Sequence, residues 1–292
     1  MLKRKRFRLM LGAKALVLGE RTMVMGVLNV TPDSFSDGGL HLNAAKAIAR
    51  ALEMESEGAD MIDIGGESTR PGAAPISCDE ELARVMPVIG GLRKRLKIPI
   101  SIDTRRAAVA EATVRAGAKI INDVTALRFD PRVGDVARRH RTPLVLMHMR
   151  GEPATMQRLP FARNALADVS SALRAAVARA LRAGIGKRRI ILDPGIGFGK
   201  SYAQNFELLA RLPELARIGY PLLIGTSRKS FLGHALGGAP AEGRIWGTAA
   251  TTTAAILGGA HIVRVHDVKE IVGVARVADL VLAVRQRARP AD

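Results

Sequence analysis

The feature that most constrains this chain is an alternation. Eight short, β-rich apolar runs are each followed by a longer stretch with helical spacing of apolar residues. The runs are Met23–Val30, Met61–Ile64, Ile98–Ile102, Lys119–Val124, Pro143–Met147, Arg189–Leu192, Pro221–Ile224 and His261–Val265. Strand-then-helix repetition demands a parallel sheet, because parallel neighbours are joined by crossovers. Eight such units within 292 residues fill a closed barrel and leave no room for a second full domain. The expected fold is therefore α/β, a single (β/α)8 TIM barrel with an N-terminal hairpin closing the barrel floor. That hairpin is expected at Leu16–Thr22, with residues 1–15 a basic N-terminal tail and 16–292 the barrel. Met1–Met10 is basic and has no acidic residue or apolar core of a signal peptide, so it reads as a frayed tail.

Local signals mark the helices. Ser77 and Glu80 form an S-x-x-E capping box, and Gly58, Gly117 and Gly184 each follow an Ala-rich helical stretch, where a chain leaves a helix. Ala162–Ala183 is the longest helix candidate, and Gly247–Val263 reads as a buried helix running into a strand, not a membrane span. Aromatic residues are only 3% of the chain, so Ala, Val, Ile and Leu must pack the core. The single cysteine, Cys78, excludes an intrachain disulfide and a cysteine zinc cluster, and fits a reducing cytoplasm. A net charge of +18 permits contact with nucleic acid or acidic membranes, but the basic residues are dispersed and no RNA motif or zinc finger accompanies them. The expected partners are small anionic substrates, with no nucleic acid and no membrane.

Polar residues collect where the strands end. Val30 leads into Thr31–Gly39, strand two carries Asp63 and leads into Gly65–Gly72, and strand three ends at Asp103. Asn122, His148, Asp193, Arg228 with Lys229, and Arg264 with His266 follow on strands four to eight. In a barrel these ends share one rim, where barrel active sites lie. One strand-end Asp is ordinarily a helix cap, but a polar candidate on every strand is not explained by capping. Carboxylates at Asp63, Asp103 and Asp193 would be costly near a core without donors, and a planar heterocycle with amino and ring N–H groups supplies them. Asn122 suits an amide-like ring edge; Arg70, Lys229, Arg264 and His266 suit a phosphate-type anion; Asn29 with phosphate oxygens suits Mg2+. The stretch Gly195–Ser201 resembles a P-loop but has Pro194 where the first glycine is required. It reads instead as a loop approaching a ligand closely, with Phe198 as an apolar wall. The dispersed histidines give no metalloenzyme spacing and no Ser-His-Asp arrangement; His41, His140 and His234 read as surface residues.

Taken together, these stretches resemble the dihydropteroate synthase family, the pterin-binding enzymes of folate biosynthesis. The resemblance is carried by Met25–Gly39, Asp63–Gly72, Ile102–Thr104, Ile121–Asp123, Met147–Met149, Asp193–Lys200, Ser227–Ser230 and Arg264–Val268, in family order from about Leu16 to about Val277. Lys269–Gly273 and Gln204 depart from the family pattern. The resemblance implies a transferase that condenses 6-hydroxymethyl-7,8-dihydropterin pyrophosphate with p-aminobenzoate to give 7,8-dihydropteroate and pyrophosphate. It implies a pterin pocket of Asp103, Asn122, Met149, Asp193 and Lys229. It implies a p-aminobenzoate site of Thr69, Arg70, Pro71, Phe198 and Ser230, and pyrophosphate binding by Asn29, Arg70, Arg264 and His266. Catalytic roles fall to Asp63, Lys229, Arg264 and His266, with Asn29 holding Mg2+, in a cytoplasmic homodimer. The alternatives are a catalytically inactive pterin-binding paralogue and a pterin-dependent methyltransferase-type barrel.

Overall fold

Strands that are apolar on both faces need a closed parallel sheet wrapped by helices, and the computed structural model has that form. It describes residues 4–31, 40–68, 73–152, 155–156 and 161–287, those of 40–43 and 287 by their backbone alone. The barrel strands are β3 (Met23–Asn29), β4 (Met61–Gly65), β5 (Ile100–Asp103), β6 (Ile120–Asp123), β7 (Leu144–Met147), β8 (Ile190–Asp193), β9 (Leu223–Ile224) and β10 (Ile262–Val265). They run in the order β8-β7-β6-β5-β4-β3-β10-β9, every pair parallel. A parallel bridge between Leu192 and Leu222 closes the ring. Around it lie α1 (Leu40–Ser56), α2 (Cys78–Leu92), α3 (Ala107–Ala116), α4 (Arg132–Arg139), α5 (Ala165–Arg182), α6 (Tyr202–Ala210), α7 (Leu212–Ala216), α8 (Ser230–Ala235), α9 (Ile245–Leu257) and α10 (Val268–Arg287).

The period-two alternation of a strand decides what the barrel holds. Outward residues such as Ile62, Ile64, Ile102, Ile121, Leu144 and Leu192 belong to the core shared with the helices. Inward residues Met61, Ile120, Ile191 and Ile262 fill the barrel floor. Two positions further along the same strands, on the same face, stand Asp63, Asn122, Asp193 and Arg264; Ser101 and Asp103 follow the same rule on β5. The apolar layer is thus capped by a polar one at the C-terminal mouth.

The floor is closed by an antiparallel hairpin, β1 (Phe7–Leu11) and β2 (Lys14–Leu18), with Phe7 opposite Leu18. Its Leu9 and Leu18 pack against Met23, Met25, Val145 and Leu223. This corrects two expectations: the hairpin lies at residues 7–18, not Leu16–Thr22, and the basic N-terminus is ordered from Arg4. The apolar alternation Phe7, Leu9, Leu11 was hidden by the basic residues around it, Arg4, Lys5, Arg6 and Arg8. Arg4 is buried, with Nη1 donating to Thr22 Oγ1 at 2.8 Å and meeting Asp279 Oδ1 at 2.9 Å. Buried His261 ties the hairpin in as well: its Nδ1 accepts from Leu222 N at 3.1 Å and its Nε2 lies 2.9 Å from Lys5 O. A carbonyl can only accept, so Nε2 carries the proton.

The helix signals were mostly sound. Gly58, Gly117 and Gly184 all have positive φ at helix ends. Ser77 caps α2 by accepting from Glu80 N, but Glu80 pairs with Arg84 on the next turn, so one half of the capping box is present. Ser201 and Gln204 make a full capping box on α6. The longest helix among the described residues is α10, of 20 residues, not the Ala162–Ala183 region, where α5 has 18. No helix among the described residues is long and apolar enough to cross a membrane.

Burial lowers the His261 pKa to about 4. An unfolded histidine titrates near about 6.5, so this group's contribution is intact above that value and is lost as pH falls towards 4, up to about 1.4 kcal/mol per pH unit. His261→Gln keeps a donor for Lys5 O but does not titrate. Urea unfolding should therefore show a shallower loss of stability for the variant than for the parent protein between pH 6.5 and 4.

Candidate active site

The mouth of the barrel is organised by one guanidinium. Arg264 Nε donates to Asp63 Oδ2 at 2.7 Å, and its Nη2 donates to Asp103 Oδ2 at 3.0 Å. Asn122 Nδ2 donates to the same Asp63 oxygen at 2.9 Å. The fork joins residues of three strands and crosses a fourth, because β10 lies beside β3, β3 beside β4, and β4 beside β5. Asp63 is completely buried, and its Oδ1 has no partner among the described residues.

One guanidinium does not satisfy two buried carboxylates. Burial first, and the neighbouring Asp63 charge second, push the Asp103 pKa up to about 8, against the pull of Arg264. Burial also raises Asp193, although Lys229 and a bond from Gly195 N to its Oδ1 at 2.7 Å hold it back. Lys229, in the loop after β9, is lowered to about 8 by desolvation. Its Nζ donates to Ile196 O and stands 4.5 Å from the centre of the Phe198 ring. Met149 is buried with Val124, Met147 and Met156, and Phe198 packs on this cluster. His266 N donates to Ser227 Oγ at 3.1 Å, and its Nδ1 lies 3.1 Å from the same oxygen. Asn29 ends β3 beside Gly65, and Ser230 opens α8, exposed.

The sequence-derived candidates thus gather at one mouth, apart from Thr69, Arg70 and Pro71, which lie outside the described residues. Three groups went unrecognised in the sequence. Glu67 binds Arg105 at 3.2 Å and Arg106 at 2.8 Å, and Arg106 also reaches buried Glu81 at 2.6 Å and Ile76 O at 2.6 Å. This cluster ties the end of β4 to the chain before α2. Its signal was the unbroken Arg105-Arg106 pair after a strand end. Arg228, in a left-handed conformation (φ 59°), pairs with Asp267. Lys200 turned inward: its Nζ is 2.9 Å from His148 Nδ1, 2.8 Å from Gly195 O and 3.0 Å from Phe198 O. Its ammonium is occupied within the protein, and Ser201 caps α6, so the P-loop likeness of this stretch is empty of phosphate chemistry.

The family model for pterin binding enzymes matches residues 25–266. The chain belongs to this family. It is 51% identical over 261 residues to the dihydropteroate synthase of Synechocystis sp., covering 89% of this chain and 90% of that protein. Among solved structures, it resembles the Yersinia pestis dihydropteroate synthase in complex with a sulfonamide drug, with TM-score 0.88 and 44% identity, covering 97% of this chain and 100% of that one. The Xanthomonas albilineans dihydropteroate synthase in complex with 7,8-dihydropteroate gives TM-score 0.84 and 43% identity, with coverage of 97% and 100%. Within the pterin-binding family the chain is a dihydropteroate-synthase-type transferase, and the inactive-paralogue and methyltransferase alternatives are not favoured.

Asp103 gives a test of the fork. Its folded pKa, near 8, exceeds the unfolded carboxylate value of about 4, so its contribution to stability is full below pH 4 and is lost as pH rises through 8. Asp103→Asn keeps an oxygen for Arg264 without a charge beside Asp63. The thermal midpoint of the ligand-free variant should exceed that of the parent, by more at pH 8 than at pH 5. An equal difference at both values would show that Asp103 does not titrate in that window.

Proposed function

We propose that this mouth binds a dihydropterin pyrophosphate and transfers its methylene carbon to p-aminobenzoate. The observation that carries the reading is the pair of raised carboxyls, Asp103 and Asp193, set in one polar layer with Asn122, Arg264 and Lys229. A pterin edge offers amino and ring N–H donors, and two acceptors short of donors gain most from meeting them. Asn122 would match a ring carbonyl or N–H, Met149 would lie against the flat face, and Lys229 would close the pocket beside Asp193. Arg264, His266, Asn29 and Arg70 would receive the pyrophosphate. Asp63 acts through Arg264, fixing the guanidinium where leaving-group charge develops. Thr69, Arg70, Pro71, Phe198 and Ser230 would frame the p-aminobenzoate.

The chemistry asks little of a general base. The electron-rich dihydropterin ring supports positive charge on its exocyclic carbon as pyrophosphate departs, and an aryl amine is neutral at pH 7. Positioning and charge neutralisation are therefore the protein's main contributions. The donor set suits Mg2+: Asn29 gives one neutral oxygen, and the described residues contain no cluster of three His, Cys, Asp or Glu that would hold an ion without the substrate. Mg2+ keeps waters and takes phosphate oxygens readily; when bound it would neutralise charge on the pyrophosphate. We place the protein in the cytoplasm on its single cysteine. We also propose a homodimer through α9 and α10, which pack together: Trp246 of α9 is 79% exposed, and α10 exposes Val277, Leu280, Val281 and Val284.

The purified chain should release pyrophosphate from the dihydropterin substrate when p-aminobenzoate and Mg2+ are present, and a sulfonamide should compete with p-aminobenzoate. Binding of the pterin without any pyrophosphate release would defeat the reading. Asp193→Asn, which turns donors towards donors, should weaken pterin binding by at least about tenfold, the size of one hydrogen bond to a charged group. Leu280→Asp should shift sedimentation from dimer to monomer.

A further inference from the structure

The glycine-rich turn after β8 is held in an unusual way. It carries Gly195, Gly197 and Gly199, all with positive φ. A Cβ on Gly195 would stand 1.9 Å from His148 O, and one on Gly199 would stand 2.6 Å from Arg150 O. The turn is therefore pressed against the chain that follows β7, closer than any side chain allows. Such a turn has high backbone freedom unless it is tied down. Asp193 Oδ1 holds Gly195 N, and Asn205 Oδ1, on α6, holds Gly197 N at 2.6 Å. Lys200 is a further tie.

Lys200 is 4% exposed. Its three N–H bonds are all used: by His148 Nδ1, Gly195 O and Phe198 O. His148 is buried, and burial together with nearby Lys200 holds it in the neutral form. Its Nδ1 then accepts from the ammonium and its Nε2–H faces Asp168 Oδ2 at 3.3 Å. The chain Asp168–His148–Lys200 thus runs from α5, through the end of β7, into the turn. On the turn's other side are the two groups that meet Lys229, the Ile196 carbonyl and the Phe198 ring.

We propose that Lys200 is a positioning residue for the p-aminobenzoate half of the site: through His148 it fixes the turn that presents Phe198 to Lys229, and it touches no substrate. This rests on the reading of Phe198 as a wall of the p-aminobenzoate site. Asp103, Asn122 and Arg264 are held by other strands; Asp193, on β8, and Lys229, in the loop after β9, meet the turn only at Gly195 N and at Ile196 O with the Phe198 ring.

Three variants, compared with the parent, test this: Lys200→Met, which removes the ammonium; His148→Leu, which removes its ring acceptor; and His148→Asn, which keeps an oxygen for Lys200. Hydrogen exchange of the ligand-free protein reads the brace itself. Exchange across residues 194–200 should quicken in Lys200→Met and His148→Leu and stay near the parent rate in His148→Asn. Unchanged exchange in both removal variants overturns the brace, whatever the enzyme's activity. Steady-state kinetics read its purpose. The KM for p-aminobenzoate should rise about tenfold or more in the two removal variants, the scale of one or two net hydrogen bonds. kcat and calorimetric affinity for the pterin pyrophosphate should move less than about threefold, a difference under 1 kcal/mol, and His148→Asn should restore KM. A fall in kcat with KM unchanged would make Lys200 catalytic and defeat the proposal. Equal loss of pterin affinity, KM and thermal stability would reduce it to a fold residue and also defeat it. If exchange behaves as expected but the parent releases no pyrophosphate, the functional reading fails and the brace stands.

Discussion

The interaction on which the site depends is the fork of Arg264 between Asp63 and Asp103. An apolar layer at this level would fill the barrel at lower free-energy cost, since buried ion pairs recover their desolvation only with good geometry and full hydrogen bonding. Here the hydrogen bonding is incomplete: Asp63 keeps an oxygen without a partner among the described residues, and Asp103 is driven towards its neutral form. That imbalance is useful in a binding site. A ligand bringing N–H donors satisfies acceptors that the folded chain leaves short, so binding gains what folding forgoes. The apolar floor below, with Met23, Met61 and Ile191 sealed by Leu9 and Leu18 of the hairpin, supplies the stability that the polar mouth does not. The same floor keeps the mouth dry from beneath, which strengthens each charge there.

Much of this was legible in the sequence because a barrel's two periods are simple. The eight apolar runs coincide with the eight strands within a few residues, since each run is bounded by glycine, proline or polar punctuation and must be buried on both faces. The inward polar layer was legible for the same reason: Asp63, Asn122, Asp193 and Arg264 each stand two positions beyond an interior Met or Ile. Strand ends far apart in sequence had to meet once the ring was assumed.

What escaped the sequence depended on side chains turning in directions that spacing does not set. The arginines at 4, 6 and 8 suggested a solvated tail, yet Arg4 is buried on Thr22 and Asp279, partners 18 and 275 residues away. Lys200 stands in a stretch whose P-loop likeness fails at Pro194, and its inward rotation towards a histidine just beyond β7 had no local signal. The Glu67–Arg105–Arg106–Glu81 cluster required knowing that β4 and β5 are adjacent and that α2 packs behind them. Long-range electrostatic partners are properties of the closed ring, and no local pattern encodes them.

The arrangement also explains how one rigid barrel can host two substrates of different character. On the proposed reading, Asp103, Asn122, Asp193 and Arg264 of the pterin half stand on β5, β6, β8 and β10, elements whose backbone cannot move without breaking the ring, and loops add Met149 and Lys229. The half that would meet p-aminobenzoate is built on turns: the glycine turn after β8, the start of α8 at Ser230, and the chain after β4. Turns position side chains only as well as they are braced. Two of them are braced from behind, the turn after β8 by Lys200 and Asn205 and the chain after β4 by Arg106 and Arg84, the last through Gly66 O at 2.8 Å. On the proposed reading, the strongly held half would meet the substrate that carries the leaving group. The braced half would meet the aryl amine, uncharged at its nitrogen, which needs orientation more than binding energy. Such a division follows from the chemistry, because misplacing the aryl amine slows bond formation while misplacing the pterin abolishes the electrophile's stabilisation.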